Sequence, residues 1–266
     1  MSAWITVLKA PALFRKAAGL APLLAGVFLS AFCGNAPTRP QFRSSLLVPS
    51  QGKISDTYRD RRFMMVHEQI EARGVSNVRV LDAMRSVPRH EFAPSEFVDD
   101  AYADHPLPIG EGQTISQPYM VALMSELLEL EETHKVLEIG TGCGYHAAVL
   151  SLLAQQVFSV ELVKSLGLSA RQRLKNLGYG NVTVSVGNGY LGLLNEAPFD
   201  RIILTAAPVE LPQALIDQLK PGGRLVAPVG PVYGNQQLIV VTKNAAGKVH
   251  RRSVLPVRFV PMVGAP

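Results

Sequence analysis

The chain has 266 residues, of which 47% are hydrophobic and 18% charged, a composition that suits one large folded domain with a sizeable core. Its formal net charge of +5 is unevenly distributed. Residues 1–62 contain nine Lys/Arg and two Asp/Glu, whereas residues 63–266 contain seventeen Lys/Arg and nineteen Asp/Glu and are therefore slightly acidic. A nucleic-acid-binding domain normally carries a basic face of its own, so this distribution argues against a nucleic-acid partner. Neither cysteine, Cys33 or Cys143, belongs to a CxxC pair, which argues against a zinc site and a structural disulfide.

The N-terminal segment predicts a leader that is separate from the folded domain. Three basic residues precede an apolar run at residues 17–32, as in a secretory signal or an uncleaved membrane anchor. The run is shorter than the roughly 20 residues of a membrane-spanning helix, and a disordered leader is the alternative. Residues 33–55 are rich in Pro, Ser, Gln and Arg, which is typical of a linker. We therefore expect a leader and linker at residues 1–55 and one folded domain at residues 56–266.

Two helices are predicted at the start of this domain. Apolar residues recur at helical spacing through residues 58–73, and Gly74 ends that helix. A second, shorter helix is predicted at residues 77–85, and the prolines and glycines of residues 101–112 predict a loop. Ser116 then precedes an apolar helical stripe, and its hydroxyl suits an N-cap that accepts a backbone N–H of that helix.

The remainder of the chain alternates between strand and helix patterns. Short apolar runs predict strands, and apolar residues at helical spacing predict helices between them. The predicted strands are residues 135–139, 156–161, 181–186, 199–206, 222–229 and 236–243, the predicted helices are residues 145–153, 164–177 and 212–219, and residues 253–263 form an extended tail. This alternation predicts an α/β fold with a doubly wound, mostly parallel sheet. The last strands, which no helix separates, predict an antiparallel edge at the C-terminus.

The stretch VLEIGTGCGYHAAVL, residues 136–150, carries the strongest functional signal. An apolar strand is followed by Gly140, Gly142 and Gly144 and then by a helix, so backbone N–H groups can approach a ligand at the helix N-terminus. The dinucleotide fingerprint requires G-x-G-x-x-G, and Tyr145 occupies the position of its last glycine. The spacing therefore favours a smaller polar group than a pyrophosphate and counts against the alternative of an NAD(P)-dependent oxidoreductase.

Two further polar residues follow the next strands of the predicted sheet. Glu161 ends the second strand, where a carboxylate can accept both hydroxyls of a ribose, although a solvated acid at a strand end is the simpler alternative. Asn188, in the segment GNGY, follows the third strand and can bond an adenine edge or favour a turn. Since open α/β sheets bind ligands at the carboxyl ends of their strands, these segments predict one nucleotide-like site.

These motifs resemble those of the class I S-adenosylmethionine (SAM)-dependent methyltransferases. The segments DHPLPIGEGQTISQPYMVALMSELLEL, FDRIILTAAP, LKPGGRLVAPVG and VRFVPMV narrow the resemblance to the protein-L-isoaspartate O-methyltransferase family, over roughly residues 58–266. The resemblance implies a Rossmann-like fold, SAM as cofactor, and methylation of the α-carboxylate of isoaspartyl residues in damaged proteins. Implied partners are isoaspartyl proteins and peptides, with no nucleic acid and no metal, and with a membrane only if the leader is an anchor. Because SAM is made in the cytosol, we expect a cytoplasmic catalytic domain.

The resemblance also implies roles for individual residues. Ser116 is the expected active-site residue and would orient the substrate carboxylate, together with Thr114 and Ile115 as substrate-binding residues. That carboxylate is already ionised at neutral pH, so no general base is expected, and neither His105 nor His146 is assigned this role. The expected cofactor-binding residues are Glu138, Gly140, Thr141, Gly142, Gly144, Glu161, Asn188 and Gly189.

Two departures from the family pattern bear on the cofactor. Asn188 stands where the family usually has Asp, so the adenine contact would lack a charge, and Cys143 stands where the family often has Ser. The tail VRFVPMV is expected to line a peptide groove with its backbone edges, with an ordinary edge strand as the alternative. Two other functions remain open within the superfamily, namely a methyltransferase with a different acceptor and a non-catalytic relative that binds SAM or peptide.

Overall fold

The structure, a computed structural model, describes residues 58–264. The predicted leader and linker at residues 1–55 lie outside the described residues, and the domain boundary there stays a prediction. Among the residues described, no helix is both long and apolar enough to span a bilayer.

The described chain begins with a group of short helices. Helix α1, Arg59–Met64, continues into a π-helical turn, Met65–Ile70, and a 3-10 turn, Glu71–Arg73. Gly74 ends this run with a φ of 98°, which a residue with a side chain rarely adopts. The predicted helix at residues 58–73 is therefore helical throughout but changes its hydrogen-bonding pattern along its length.

Helix α2 spans Val78–Ser86 and begins at a side-chain cap. The Asn77 side chain accepts the backbone N–H of Arg79 at 3.0 Å, as an N-cap residue does. Two 3-10 turns follow, Arg89–Glu91 and Ser95–Asp100. The second predicted helix is thus confirmed within one residue at each end.

A β-hairpin occupies part of the segment that was expected to be a loop. Strand β1, Leu107–Gly110, pairs antiparallel with β2, Gln113–Ile115, and Leu107 faces Ile115. The prediction of a loop at residues 101–112 is therefore wrong for its second half. Glu111 and Gly112 have φ of 53° and 69°, so they form a two-residue turn of the kind that favours hairpins. The glycines that suggested a loop are the means by which the hairpin turns.

Helix α3 spans Pro118–Leu127, and Ser116 is not its N-cap. Gln117 occupies that position, and no side chain caps the helix. Proline favours the first helical position because its fixed φ suits the first turn and its missing N–H is not needed there. It also holds the preceding residue in an extended conformation, here with a ψ of 136° at Gln117. Pro118 therefore moves the cap one residue beyond Ser116, and the predicted capping role is wrong.

The rest of the chain forms a seven-stranded sheet with helices between its parallel strands. In chain order its elements are β3 Lys135–Ile139, α4 Tyr145–Ser151, β4 Gln156–Glu161, α5 Lys164–Asn176, β5 Val182–Val186, β6 Phe199–Leu204, α6 Gln213–Asp217, β7 Leu219–Val229, β8 Gln236–Lys243 and β9 Val249–Val257. The strand order is β5-β4-β3-β6-β7-β8-β9. The pairs from β5 to β7 are parallel, and β7-β8 and β8-β9 are antiparallel. The predicted doubly wound α/β fold with an antiparallel C-terminal edge is confirmed.

Two boundaries near the C-terminus differ from expectation. Strand β7 begins at Leu219, so it takes over the last residue of the predicted helix at 212–219 and starts three residues before the predicted strand at 222–229. Strand β9 covers Val249–Val257 instead of residues 253–263. The final described residues therefore leave the edge of the sheet and turn toward the carboxyl end of β6, where Pro261 pairs with Ala207.

The central strand β3 is buried on both faces of the sheet. Val136 and Leu137 are 0% exposed and belong to two different core clusters, one formed with α2, α3 and α4 and the other with α6. Burying an aliphatic side chain of this size contributes about 2 kcal/mol, so β3 is firmly held. The chain winds from β3 toward β5 on one side and continues with β6 on the other. The carboxyl ends of β3 and β6 therefore flank the topological switch point where α/β sheets bind ligands.

Candidate functional site

A cleft lies at the carboxyl ends of β3, β4 and β6. It encloses about 570 Å³ including its open mouth. Five of the predicted site residues line it, namely Thr114, Gly140, Gly142, Glu161 and Gly189. The structure thus gathers the hairpin, the glycine loop and two strand ends around one cavity.

Each glycine of the loop has a separate steric role. Gly140 has a φ of 98°, and a Cβ there would overlap the hydroxyl of Thr205, which donates a hydrogen bond to the Gly140 carbonyl at 2.5 Å. Gly142 lines the cleft with a φ of 54°. Gly144 does not line it, since a Cβ there would lie 3.1 Å from Leu174 of α5. Two glycines therefore shape the cavity, whereas the third allows α4 and α5 to pack closely.

Glu161 is held in the cleft by backbone donors. Its Oε2 accepts the N–H of Gly142 at 2.8 Å, and its Oε1 accepts the N–H of Val163 at 2.9 Å. The residue is only 6% exposed. A carboxylate oriented in this way has lone pairs left to accept two further hydroxyls, which is the chemistry that a ribose requires.

Glu138 and Thr141 lie beneath the glycine loop and do not line the cleft. Ser159 donates a hydrogen bond to Glu138, and its hydroxyl lies 2.5 Å from that of Thr141. The pKa of Glu138 is raised to about 8, chiefly by burial; the hydrogen bond from Ser159 opposes this shift, and the neighbouring Glu161 adds to it. Glu138 is therefore protonated at pH 7, and the two residues support the loop from below.

Asn188 and Gly189 form the start of a 3-10 turn, Gly189–Leu191, after β5. The Asn188 Oδ1 accepts the N–H of Tyr190 at 3.0 Å, so its amide oxygen serves the turn. Gly189 lines the cleft, and a Cβ there would overlap Ile139. The structure therefore brings Gly189 to the cavity wall and gives Asn188 a capping role beside it.

The hairpin brings its three predicted residues to different places. Thr114 lines the cleft, Ile115 is 3% exposed and packs in the core, and Ser116 is half-buried just beyond β2. The backbone carbonyl of Ser116 accepts a hydrogen bond from Arg89 at 2.8 Å. Within residues 58–264, no partner holds the Ser116 hydroxyl. Ser116 itself is not among the residues that line the cleft, so its contact with a ligand stays a prediction.

The C-terminal tail forms one wall of the cleft. Pro261 pairs with Ala207 in a parallel bridge after β6, and the Met262 N–H donates to the Ala207 carbonyl at 2.8 Å. Residues 260–263 line the cleft together with Thr205 and Ala206. The sequence predicted no site role for Thr205 and Ala206, and it predicted that the tail with Met262 lines a peptide groove and not the cofactor cleft. The signal that could have identified Thr205 and Ala206 is their position directly after the end of strand β6.

Neither of the two histidines considered lines the cleft. His146 is buried in α4, where its Nε2 lies 3.0 Å from the Ser125 hydroxyl, and desolvation lowers its pKa to about 3. His105 is half-buried, with its Nδ1 3.1 Å from the Pro106 carbonyl. Cys143 is buried in the glycine loop, and burial raises the pKa of its thiol.

Comparison with known proteins gives consistent matches. A family model described as protein-L-isoaspartate(D-aspartate) O-methyltransferase matches residues 60–266. A protein-L-isoaspartate O-methyltransferase 2 of Polaromonas sp. is 55% identical over 186 residues, which are 70% of this chain and 88% of the relative. A protein-L-isoaspartate O-methyltransferase of Synechococcus sp. is 50% identical over 221 residues, which are 81% of this chain and 90% of the relative.

Solved structures share the fold. A protein-L-isoaspartate O-methyltransferase matches with a TM-score of 0.69 and 31% identity, covering 77% of this chain and 66% of that chain. A putative member from Plasmodium falciparum, solved with S-adenosyl-L-homocysteine, matches with a TM-score of 0.65 and 24% identity over 76% of this chain and 98% of its own. The family match covers well over half of the sequence, and relatives at about half identity cover most of it. The chain therefore belongs to the protein-L-isoaspartate(D-aspartate) O-methyltransferase family.

Proposed function

We propose that this chain transfers the methyl group of SAM to the α-carboxylate of L-isoaspartyl residues in damaged proteins and so initiates their repair. The observation that carries the proposal is the convergence of Gly140, Gly142, Glu161 and Thr114 on one cleft in a chain that belongs to this family. The resulting methyl ester would close to a succinimide without the enzyme, and hydrolysis of that ring would return part of the material to aspartate.

The residues of the cleft fit SAM. Glu161 offers carboxylate oxygens to a ribose, and Gly140, Gly142 and Gly189 line the cleft without side chains that would narrow it. Leu162 and Met262 line the same cleft and supply apolar surface for a purine ring. The Plasmodium falciparum relative, which shares the fold, was solved with the demethylated form of SAM. SAM, when bound, supplies an electrophilic methyl group on a sulfonium.

The acceptor side requires positioning and no general base. An isoaspartyl α-carboxylate is ionised at neutral pH and has no proton to lose before it attacks. Ser116 would donate a hydrogen bond that orients this carboxylate, Thr114 would contact it from the cleft wall, and Ile115 would fix both from the core. Holding two reactants in line can contribute about 7 kcal/mol or more to catalysis. His146, which is neutral and remote from the lining, has no part in this step.

A methylation assay with matched peptides tests the proposal. The protein is incubated with labelled SAM and a peptide pair that differs only in carrying isoaspartate or aspartate. Label in the isoaspartyl peptide alone is the expected result, whereas SAM binding without transfer would identify a non-catalytic relative. Label in RNA or a small molecule instead would identify a different acceptor.

The role of Ser116 is tested separately by Ser116→Ala. Losing one hydrogen bond to a charged group costs about 2 kcal/mol, so kcat/KM should fall roughly thirtyfold while SAM affinity is retained. Ser253→Ala is the matched control, since that hydroxyl lies on β9 and donates to Gln237 at 2.9 Å. Full activity of Ser116→Ala would remove the proposed role of the hydroxyl without affecting the proposed reaction.

A further inference from the structure

Arg89 connects the acceptor side of the cleft to the element that follows the glycine loop. It is 0% exposed, its Nε donates to the Ala101 carbonyl at 2.7 Å, and its Nη2 donates to the Ser116 carbonyl at 2.8 Å. The guanidinium carbon lies 4.8 Å from the ring centroid of Tyr145, the first residue of α4. One buried side chain therefore contacts both the residue proposed to hold the substrate and the first residue of the helix that follows the glycine loop.

The positive charge of Arg89 has no anionic partner among residues 58–264. Other arginines of the structure do have such partners, as in the 2.7 Å ion pair between Arg73 and Asp104. The ionisable groups that act on Arg89 are Tyr145, Cys143 and Tyr102, and burial raises the pKa of Tyr145 to about 12, which keeps it neutral. The Nη1 of Arg89 is also buried without a hydrogen-bond partner.

An unpaired buried charge is unfavourable unless something compensates it. Two backbone carbonyls could be joined by a neutral amide at a lower desolvation cost, so the hydrogen bonds of Arg89 to Ala101 and Ser116 do not by themselves account for a guanidinium. The Tyr145 ring compensates part of the charge through a cation–π contact. The part of the positive charge of Arg89 that the ring does not compensate favours an anion near Ser116.

We propose that Arg89 is a positioning residue for methyl transfer, which fixes Ser116 through its carbonyl and attracts the substrate carboxylate to the Ser116 hydroxyl by its charge. This inference rests on the proposed function. Arg89 Nη2 lies 2.8 Å from the Ser116 carbonyl oxygen, so a carboxylate held by the hydroxyl of the same residue would lie within roughly one or two residue lengths of the guanidinium. At roughly 7 Å and an effective dielectric constant of about 20, unit charges attract strongly enough for a tenfold to hundredfold preference for an anion.

A pair of peptides that differ in one charge tests the proposal. One peptide carries the isoaspartyl α-carboxylate and the other has a carboxamide in its place, and each is measured for its Kd in the presence of S-adenosylhomocysteine. The wild-type protein should prefer the carboxylate by about tenfold or more. Arg89→Gln should lose most of this preference without losing affinity for S-adenosylhomocysteine, and Arg89→Lys, which keeps the charge, should restore much of it. Arg62→Gln is the matched control, because Arg62 is also buried and donates to a backbone carbonyl, that of Arg85.

Steady-state kinetics add a readout that a purely structural role would not give. The carboxylate loses its charge as it becomes an ester, so Arg89 stabilises the bound substrate at least as much as the transition state. Arg89→Gln should therefore raise KM about tenfold without lowering kcat in proportion. A variant that was merely misfolded would lose kcat and S-adenosylhomocysteine affinity together.

Three results would overturn the inference. The first is an unchanged carboxylate preference in Arg89→Gln, and the second is a wild-type preference near one. If Arg89→Gln does not fold, the wild-type protein is measured at about 0.5 M salt, where a preference set by a buried charge should persist. Loss of the carboxylate preference at this salt concentration is the third result that would overturn the inference. A wild-type protein that binds neither peptide would refute the proposed function itself, which is a different outcome from binding both peptides equally.

Discussion

Replacing Glu138 by glutamine should change how the stability of this protein depends on pH. Glu138 is 0% exposed, and its pKa is raised from 4.5 to about 8, chiefly by burial. Between these two values the folded protein keeps the carboxyl protonated, whereas the unfolded chain releases the proton. The contribution to stability is therefore fully present below about pH 4.5, is lost as pH rises, and changes no further above about pH 8.

The size of the effect follows from the two pKa values. The folded and unfolded values differ by about 3.5, and each unit corresponds to about 1.4 kcal/mol, so about 5 kcal/mol is lost between pH 4.5 and pH 8. About 3 kcal/mol of this is lost by pH 7. Glutamine has nearly the same shape, can still accept the hydrogen bond from Ser159, and carries no titratable proton. Glu138→Gln should therefore gain about 3 kcal/mol relative to the wild type as pH rises from 4.5 to 7.

The measurement is urea unfolding of both proteins at a series of pH values, with the difference in unfolding free energy plotted against pH. Glu68→Gln, which replaces a carboxylate on the exposed side of the N-terminal helices, serves as the control for charge removal at the surface. A difference between Glu138→Gln and wild type that stays level across this range, to within about 1 kcal/mol, would show that Glu138 is ionised in the folded protein. The assignment of a neutral carboxyl beneath the glycine loop would then be wrong.

Three further substitutions address the cofactor side of the cleft. Glu161→Gln should weaken binding of S-adenosylhomocysteine by about tenfold to a hundredfold, since hydrogen bonds to a charged acceptor contribute about 1.5–3 kcal/mol, and calorimetry that finds unchanged affinity would contradict the ribose assignment. Gly140→Ala should destabilise the protein by about 1–2 kcal/mol or more because of its positive φ and the overlap with a hydroxyl, whereas Gly180→Ala, with open space around its Cβ, should not lower the melting temperature comparably. Asn188→Asp keeps the oxygen that accepts the Tyr190 N–H and adds a charge, so it should raise S-adenosylhomocysteine affinity by up to about tenfold; a loss of affinity would show that the amide nitrogen is the group that matters.

The parallel part of the sheet could be predicted closely from the sequence. Strands β3, β4 and β8 have the predicted bounds because each is a short, mainly apolar and β-branched run with polar or glycine residues at or beside its ends. The hairpin of β1 and β2 could not be recognised in this way, since its strands are four and three residues long and carry the same prolines and glycines as a loop. Its register depends on the burial of Leu107 and Ile115 in a core that only the complete fold creates.

The site was predictable where a residue type has one main use at a strand end. Gly140, Gly142 and Glu161 belong to this class, and all three line the cleft. The sequence did not tell whether the Glu138 side chain lines the cleft or lies beneath the glycine loop, because a carboxylate near the end of a buried strand is compatible with either orientation. It also gave no signal for Arg89, whose role depends on contacts with residues 12 and 27 positions away in the chain.

The charges of the described residues suit a reaction that consumes charge. The proposed transfer converts a cationic donor and an anionic acceptor into two neutral products, so a fully charged group beside the reacting atoms stabilises the reactants more than the transition state. A neutral Glu138 avoids this effect beneath the glycine loop, whereas an ionised one would hold the donor cation more tightly than its transition state. Arg89 lies on the acceptor side, so its charge contributes to binding and not to the chemical step. Substitutions at these two buried positions should therefore separate the affinity of the enzyme for its reactants from the rate at which it joins them.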